Sequence, residues 1–341
     1  MRFQAPAAVG LTIEHIECSL DLTYNWGYES TRRDLRDLYT KAKRSQWISE
    51  DTLPWHLAVD PAAPTTPEFT IPIFGSDIYN RMTPKEKETV RVEVGAWTLS
   101  QFLHGEQGAM LAATQLVATV PDYDSKRYAA TQVMDEARHV EVYERYLHEK
   151  LCVSYPINQH LKRLLDMILK DSRWDMKLLG MQIMVEGLAL AGFGALREFT
   201  TEPLLKKLIQ YVMLDEARHV AYGVLSLRDF YRDMGETDRR EREDFVYEAA
   251  VLMRDRFRFE EVYEKMGLPV AACVESSLQN PGYKLFQQLL FSKIVPALKK
   301  MDLLTPRQRS RFADLGILQF EDWADPYESL KAEDEAPRAL A

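Results

Sequence analysis

From Thr83 onward the apolar positions of this 341-residue chain recur every three or four residues, the pattern of helices that each bury one face. Thr83 followed by Pro84 reads as an N-terminal cap, and the helical pattern runs to about Val120, where Pro121 and Asp122 break it. A second helix is predicted over roughly 125–150, Pro156 sets off a short third, and a fourth covers about 171–199. A fifth runs from Glu202, with Pro203 in its first turn, to Met234, and further helices are expected over 237–266, 282–301 and 305–315. Strand-type alternation is almost absent. Ahead of Thr83, residues 31–47 form a charged amphipathic helix ending near Trp47, and the proline-rich stretch Pro54–Gly75 reads as an extended wrap. The expectation is an all-α protein with one core: an N-terminal helix and wrap over 1–82, a helical domain over 83–324, and an acidic, mobile tail over 325–341.

Inside this pattern lies a repeat. The six residues DEARHV occur at Asp135–Val140 and again at Asp215–Val220, 80 positions apart. On a helix, Glu136 and His139 share one face, as do Glu216 and His219. Thirty residues before each Glu stands another, Glu106 and Glu186, so the whole set Glu, then Glu-x-x-His, repeats with the same 80-residue offset. A single Glu-x-x-His is common on helix surfaces; two identical copies with matched upstream glutamates are not.

Glu106 and Glu186 sit in otherwise apolar helix, and burying an unpaired carboxylate costs several kcal/mol or forces its protonation. A metal cation is one compensating partner. Four carboxylates carry −4 and two divalent ions carry +4, so a two-ion site can be buried as a neutral unit. Carboxylate and imidazole donors suit iron or manganese. Gly105, Gly108, Gly187, Gly192 and Gly194 add mid-helix glycines that suggest close helix approach or an opening for small molecules.

Composition narrows the alternatives. A net charge of −9 argues against a nucleic-acid partner. Cys18, Cys152 and Cys273 are scattered and form no CxxC, which suits a reducing cytoplasm and excludes a thiolate zinc site or a built-in iron–sulfur cluster. The first fifteen residues have no long apolar run, so no signal peptide is expected. The most apolar window, Leu178–Leu196, carries Gln182 and Glu186 and reads as a buried core helix, not a membrane span. GFGALR lacks the preceding strand of a dinucleotide fingerprint and is given no cofactor role.

One glutamate from each of two helices, plus Glu-x-x-His from each of two others, is the arrangement of ferritin-like carboxylate bundles. The sequence resembles the ferritin-like dinuclear-iron superfamily, and D-E-x-R-H in both copies is similar to its oxygenase and desaturase branch. The resemblance implies a ferritin-like four-helix bundle with flanking helices, two iron ions (a manganese/iron pair being the variant) held by Glu106, Glu136, His139, Glu186, Glu216 and His219, and dioxygen as co-substrate. It also implies that Asp215 accepts the free ring N–H of His139, that Asp135 does so for His219, and that Arg138 and Arg218 hold those aspartates. Two electrons per turnover must come from an external reductase or ferredoxin-type donor. A homodimer is implied, as is a small or medium organic substrate, free or carrier-bound.

The leading expectation is an oxygenase that hydroxylates or N-oxygenates such a substrate. Arylamine N-oxygenases carry one more ligand histidine a turn before the last Glu-x-x-His, where this chain has Val212. Acyl-carrier-protein desaturases match in length, and the large hydroxylase subunits of methane and toluene monooxygenases share the D-E-x-R-H pattern. In a ribonucleotide reductase-like subunit, Tyr143, one turn after His139, would be the redox residue; as a residue it reads first as core. A non-enzymatic iron-binding protein is the remaining alternative. Trp47 is an electron relay only if it is more than packing, and His104, two residues from Glu106, points elsewhere on its helix.

Overall fold

The computed structural model describes residues 13–324; the tail expected over 325–341 and the start of the N-terminal segment lie outside the described residues. Among these residues there are helices and no strands. In chain order they are α1 (Arg33–Arg44), α2 (Pro84–Thr119), α3 (Tyr123–Arg145), α4 (Gln159–Lys170), α5 (Trp174–Phe199), α6 (Pro203–Arg232), α7 (Glu236–Asp255), α8 (Glu260–Lys265), α9 (Val270–Gln279), α10 (Pro281–Leu289), α11 (Ile294–Lys300) and α12 (Pro306–Asp314), beside shorter helical turns.

The bundle is built from two helical hairpins, α2/α3 and α5/α6. Their connections, 120–122 and 200–202, are three residues long and force each pair antiparallel. Starts are capped chemically. The Thr83 hydroxyl accepts from the Glu86 amide while the Glu86 carboxylate accepts from the Thr83 amide at 2.7 Å. Asp122 accepts from the Ser125 amide, and Glu202 takes the amides of Leu204 and Leu205 at 2.8 and 2.6 Å. The hairpins pack so that α3 meets α6, and α1 lies across both with Leu35, Leu38 and Ala42 buried. Asp124 ties the chain ahead of α1 to the start of α3, accepting from the Ser30 hydroxyl and the amides of Thr31 and Arg32.

Helix α5 is long and apolar enough to cross a membrane, yet 72% of its apolar window is buried within the bundle, which makes it a core helix. It winds wider over Leu179–Val185, a π-helical stretch that ends where Glu186 begins. Such insertions are frequent at functional sites because they re-aim the side chains that follow. Close approach of α6 to this stretch depends on Gly223, where a Cβ would lie 2.8 Å from the Gln182 Cβ and 3.0 Å from Ile183 Cδ1.

Three details depart from the pattern read along the chain. The helix expected over 237–266 stops at Asp255, turns tightly through Arg256–Arg258 and resumes after Phe259, whose φ of 55° is left-handed. The helix expected over 282–301 is divided at 290–293, because Pro296 in the first turn of α11 lacks the N–H that would continue the helix from α10. Helix α9 was not expected; it is ten residues long, closed in by Pro269 and Pro281.

Gly223→Ala tests the helix contact. Alanine ordinarily stabilises a helix interior by ~1 kcal/mol over glycine; here overpacking destabilises by ~1–2 kcal/mol. Gly105→Ala, which meets nothing within 4 Å, is the control and raises the thermal midpoint in the same melting experiment.

Candidate metal centre

The four bundle helices deliver all six residues of the repeat to one place. Glu106 comes from α2, Glu136 and His139 from α3, Glu186 from α5, and Glu216 and His219 from α6, all buried. They form two overlapping groups, Glu106/Glu136/His139/Glu216 and Glu136/Glu186/Glu216/His219, with the donor atoms in each group within 4.8 Å of one another. Glu136 and Glu216 belong to both, the place of carboxylates shared between two ions.

The contacts do not resolve into ordinary ion pairs. Nδ1 of His139 lies 3.1, 3.3 and 3.4 Å from oxygens of Glu216, Glu136 and Glu106, three acceptors around one ring nitrogen. Nδ1 of His219 lies 3.1 Å from Glu136 and 3.5 Å from Glu216, yet neither contact has hydrogen-bond geometry. Both Glu216 oxygens and one Glu186 oxygen are buried without a hydrogen-bond partner. Atoms aimed at a common point and not at each other fit a bound cation, and carboxylate with imidazole fits iron or manganese.

Electrostatics agree. Without a cation, burial and then Glu216 push the Glu106 carboxyl well above its ordinary range, and burial with Glu216 and Glu136 does the same to Glu186. Burial raises Glu136 too, but the neighbouring His219 and His139 outweigh it and hold that carboxyl low. Against the effect of burial, the carboxylates of Asp215, Glu106, Glu136 and Glu216 around its ring raise His139, while Glu136 and Glu216 head the groups that raise His219.

Outside the six, the crossed pairing implied by the resemblance is present. Nε2 of His139 sits 3.2 Å from Asp215, and Nε2 of His219 sits 3.3 Å from Asp135. Arg138 donates to Asp135 at 2.5 Å and to Asp215 at 3.0 Å, and Arg218 donates to Asp215. With Nε2–H given to an aspartate, each ring turns Nδ1 inward as its free donor. Two aspartates and two arginines balance each other, so this outer layer adds no net charge to the centre.

Trp47 is more than packing: its indole N–H donates to Asp215 at 2.8 Å, and the Arg138 guanidinium lies 4.6 Å over its ring. Tyr143 is fully buried among Phe102 and Phe193 with its hydroxyl unpartnered, and burial and then Glu106 hold its proton on. His104 faces away, its Nε2 2.9 Å from the Tyr155 carbonyl. Val212 is buried and apolar.

Three residues escaped the sequence reading. Gln132 donates to Glu136 at 3.0 Å and to Glu186 at 2.8 Å, and Gln182 donates to Gln132 at 3.3 Å. Their signal was weak: a Gln one turn before Glu136 and another one turn before Glu186. Arg256 is 4% exposed, has no carboxylate partner among the described residues, and is pushed down to about 10 by burial alone. It lines a cleft with Gln101, Phe102, Gly105, Glu106, Glu186 and Glu216.

Fold and site together define a ferritin-like dinuclear-metal oxygenase. A family model described as p-aminobenzoate N-oxygenase AurF matches residues 29–302, and the chain belongs to that family. No individually curated protein matches the sequence. Among solved structures, an R2-like ligand-binding oxidase, a single-site variant with an aerobically reconstituted Mn/Fe cofactor, is 16% identical with a TM-score of 0.50, covering 83% of this chain and 99% of that one. The same oxidase with its metal cofactor after photoconversion gives 16% and 0.49, covering 79% and 93%. The first of these likenesses supports the helical fold.

The buried glutamates generate a stability prediction. A carboxyl raised in the folded chain stabilises below its unfolded value, and that stability is lost as pH rises toward the raised folded value. Metal-free wild type therefore melts lower at pH 8 than at pH 6. Glu186→Gln removes part of this loss, so the metal-free variant melts ~2–4 °C above wild type at pH 8 and shows a shallower pH dependence. Calorimetry of both proteins checks it.

Proposed function

We propose that this protein oxygenates a small, carboxylate-bearing organic molecule, by hydroxylation or N-oxygenation, at a di-iron centre fed by an external electron donor. The observation that carries the reading is one cleft walled both by Glu106, Glu186 and Glu216 and by the lone buried Arg256. A buried guanidinium without a counter-charge is costly unless a ligand supplies one, and its planar fork matches a carboxylate. The family's name, p-aminobenzoate N-oxygenase, supports an aromatic acid, and Phe102, Ala109, Val185 and Ala189 offer apolar walls for its ring.

Glu106, Glu136, His139, Glu186, Glu216 and His219 would hold two iron ions, which supply dioxygen activation when bound. The chain's own task is to place the substrate, exclude water and carry charge. In this conformation the cleft has room for about one water, ≈ 20 Å³, so its walls must move to admit substrate. Gly105, open on its Cβ side, leaves space for that movement. Val212 makes the donor set one imidazole smaller than the arylamine N-oxygenase pattern, which keeps hydroxylation beside N-oxygenation.

Electrons would enter along Trp47, Asp215 and His139, a hydrogen-bonded path from the edge of α1 to a metal ligand. A ferredoxin-type or flavin reductase suits this role. A homodimer in a reducing cytoplasm completes the reading, and three cysteines that form no disulfide with one another support the compartment.

The test uses anaerobically iron-loaded protein, a chemical or ferredoxin reductant, p-aminobenzoate and isotopically labelled dioxygen. Mass spectrometry should find label in the product; consumption of dioxygen without labelled product overturns the oxygenase reading. Arg256→Met should raise KM for the acid by about 30-fold or more, the loss of ~2–5 kcal/mol for a buried charge pair, with metal content unchanged. Trp47→Phe should keep its metal, since Asp215 retains Arg138, Arg218 and His139, but be reduced by the donor ~10-fold more slowly or worse in stopped flow.

A further inference from the structure

The 80-residue repeat is symmetric in its six candidate ligands but not in what backs them. Gln132, one turn before Glu136, corresponds to Val212, one turn before Glu216. Gln182, one turn before Glu186, corresponds to Phe102, one turn before Glu106. Tyr143, one turn after His139, corresponds to Gly223 after His219, and that glycine is what lets Gln182 approach α6. One half of the centre thus carries two amides where the other carries a valine and a phenylalanine.

The amides are connected. Both donor bonds of the Gln132 amide group go to candidate ligands, Glu136 Oε1 at 3.0 Å and Glu186 Oε1 at 2.8 Å, while its carbonyl accepts from Gln182 at 3.3 Å. All four residues are buried. Gln182 therefore fixes which way the Gln132 amide faces, because a flipped amide would turn its carbonyl toward two carboxylates. The bond to Glu186 occupies Oε1 and leaves Oε2, the buried oxygen with no partner, available to an ion. Glu106 receives no such amide from Phe102 or Val212.

We propose that Gln132, oriented by Gln182, is a positioning residue that makes the two metal positions unequal: it pre-sets Glu186 and Glu136 so that the Glu136/Glu186/Glu216/His219 position takes its ion first and more tightly. The opposite position, whose Glu106 has no amide to pin it, is the weaker and more adaptable one. The inference rests on the dimetal reading of the site.

The experiment is an anaerobic titration of the metal-free full chain with Co2+, followed by visible absorption and calorimetry, so that no turnover is needed. Wild type should show two steps at least 10-fold apart. Gln132→Leu should weaken the tighter step by 10–100-fold, the usual effect of removing a hydrogen-bond partner of a ligand, and leave the weaker step within about 3-fold. Gln182→Leu should weaken the same step by less, and it carries the test if Gln132→Leu fails to fold by circular dichroism. Two equal steps in wild type, or variants that shift both steps alike or neither, overturn the inference while the dimetal reading stands. A wild-type chain that binds no Co2+ overturns both.

Discussion

Four carboxylates and two imidazoles buried at the middle of one helix bundle cannot satisfy one another, and the rest of the molecule is arranged around that fact. The surrounding layer is already balanced, Asp135 and Asp215 against Arg138 and Arg218, so it offers no spare positive charge to the glutamates. Without cations, the −4 of the four carboxylates inside this apolar shell is offset only by protons taken up on Glu106, Glu186 and the two histidines. Two divalent cations remove the conflict without adding any protein group. The unpartnered oxygens of Glu186 and Glu216 and the inward Nδ1 of His219 are the local expression of the same demand.

From this centre the fold can be followed outward. Two capped hairpins present the six side chains, α1 covers the α3–α6 face and the segment after it brings Trp47 onto Asp215, and the wide turn in α5 brings Gln182 and Glu186 to the centre. On the other side the chain breaks its helical course at Phe257 and Phe259, just where Arg256 reaches the cleft. A left-handed phenylalanine is uncommon, and such residues cluster where function fixes the backbone. In the function proposed above, one face would pass charge and the other hold substrate.

Much of this was legible along the chain because the carriers of the chemistry repeat. The offset between Asp135–Val140 and Asp215–Val220, with Glu106 and Glu186 in step, forecast which six side chains converge, and Thr83–Pro84 and Glu202–Pro203 marked helix starts by known cap chemistry. The crossed Asp–His pairs followed only from resemblance, since no spacing rule says which helix faces which. What escaped had no local mark. The π-helical stretch at Leu179–Val185 has no proline and only one glycine, Gly180, to hint at its wider turn, the break after Asp255 has neither proline nor glycine, and Arg256 looks like any surface arginine until its burial is known. Gln132 and Gln182 are neutral and common; their meaning lies in what α3 and α5 place beside them.

The central claim is that these six side chains share two cations. Crystals of the chain grown anaerobically with ferrous salt, measured on both sides of the iron absorption edge, test it most directly. The account predicts two anomalous peaks per chain, about 3.5–4 Å apart, one in each of the overlapping groups that share Glu136 and Glu216. A single peak, or iron found away from Glu106, Glu186 and the two histidines, would contradict it.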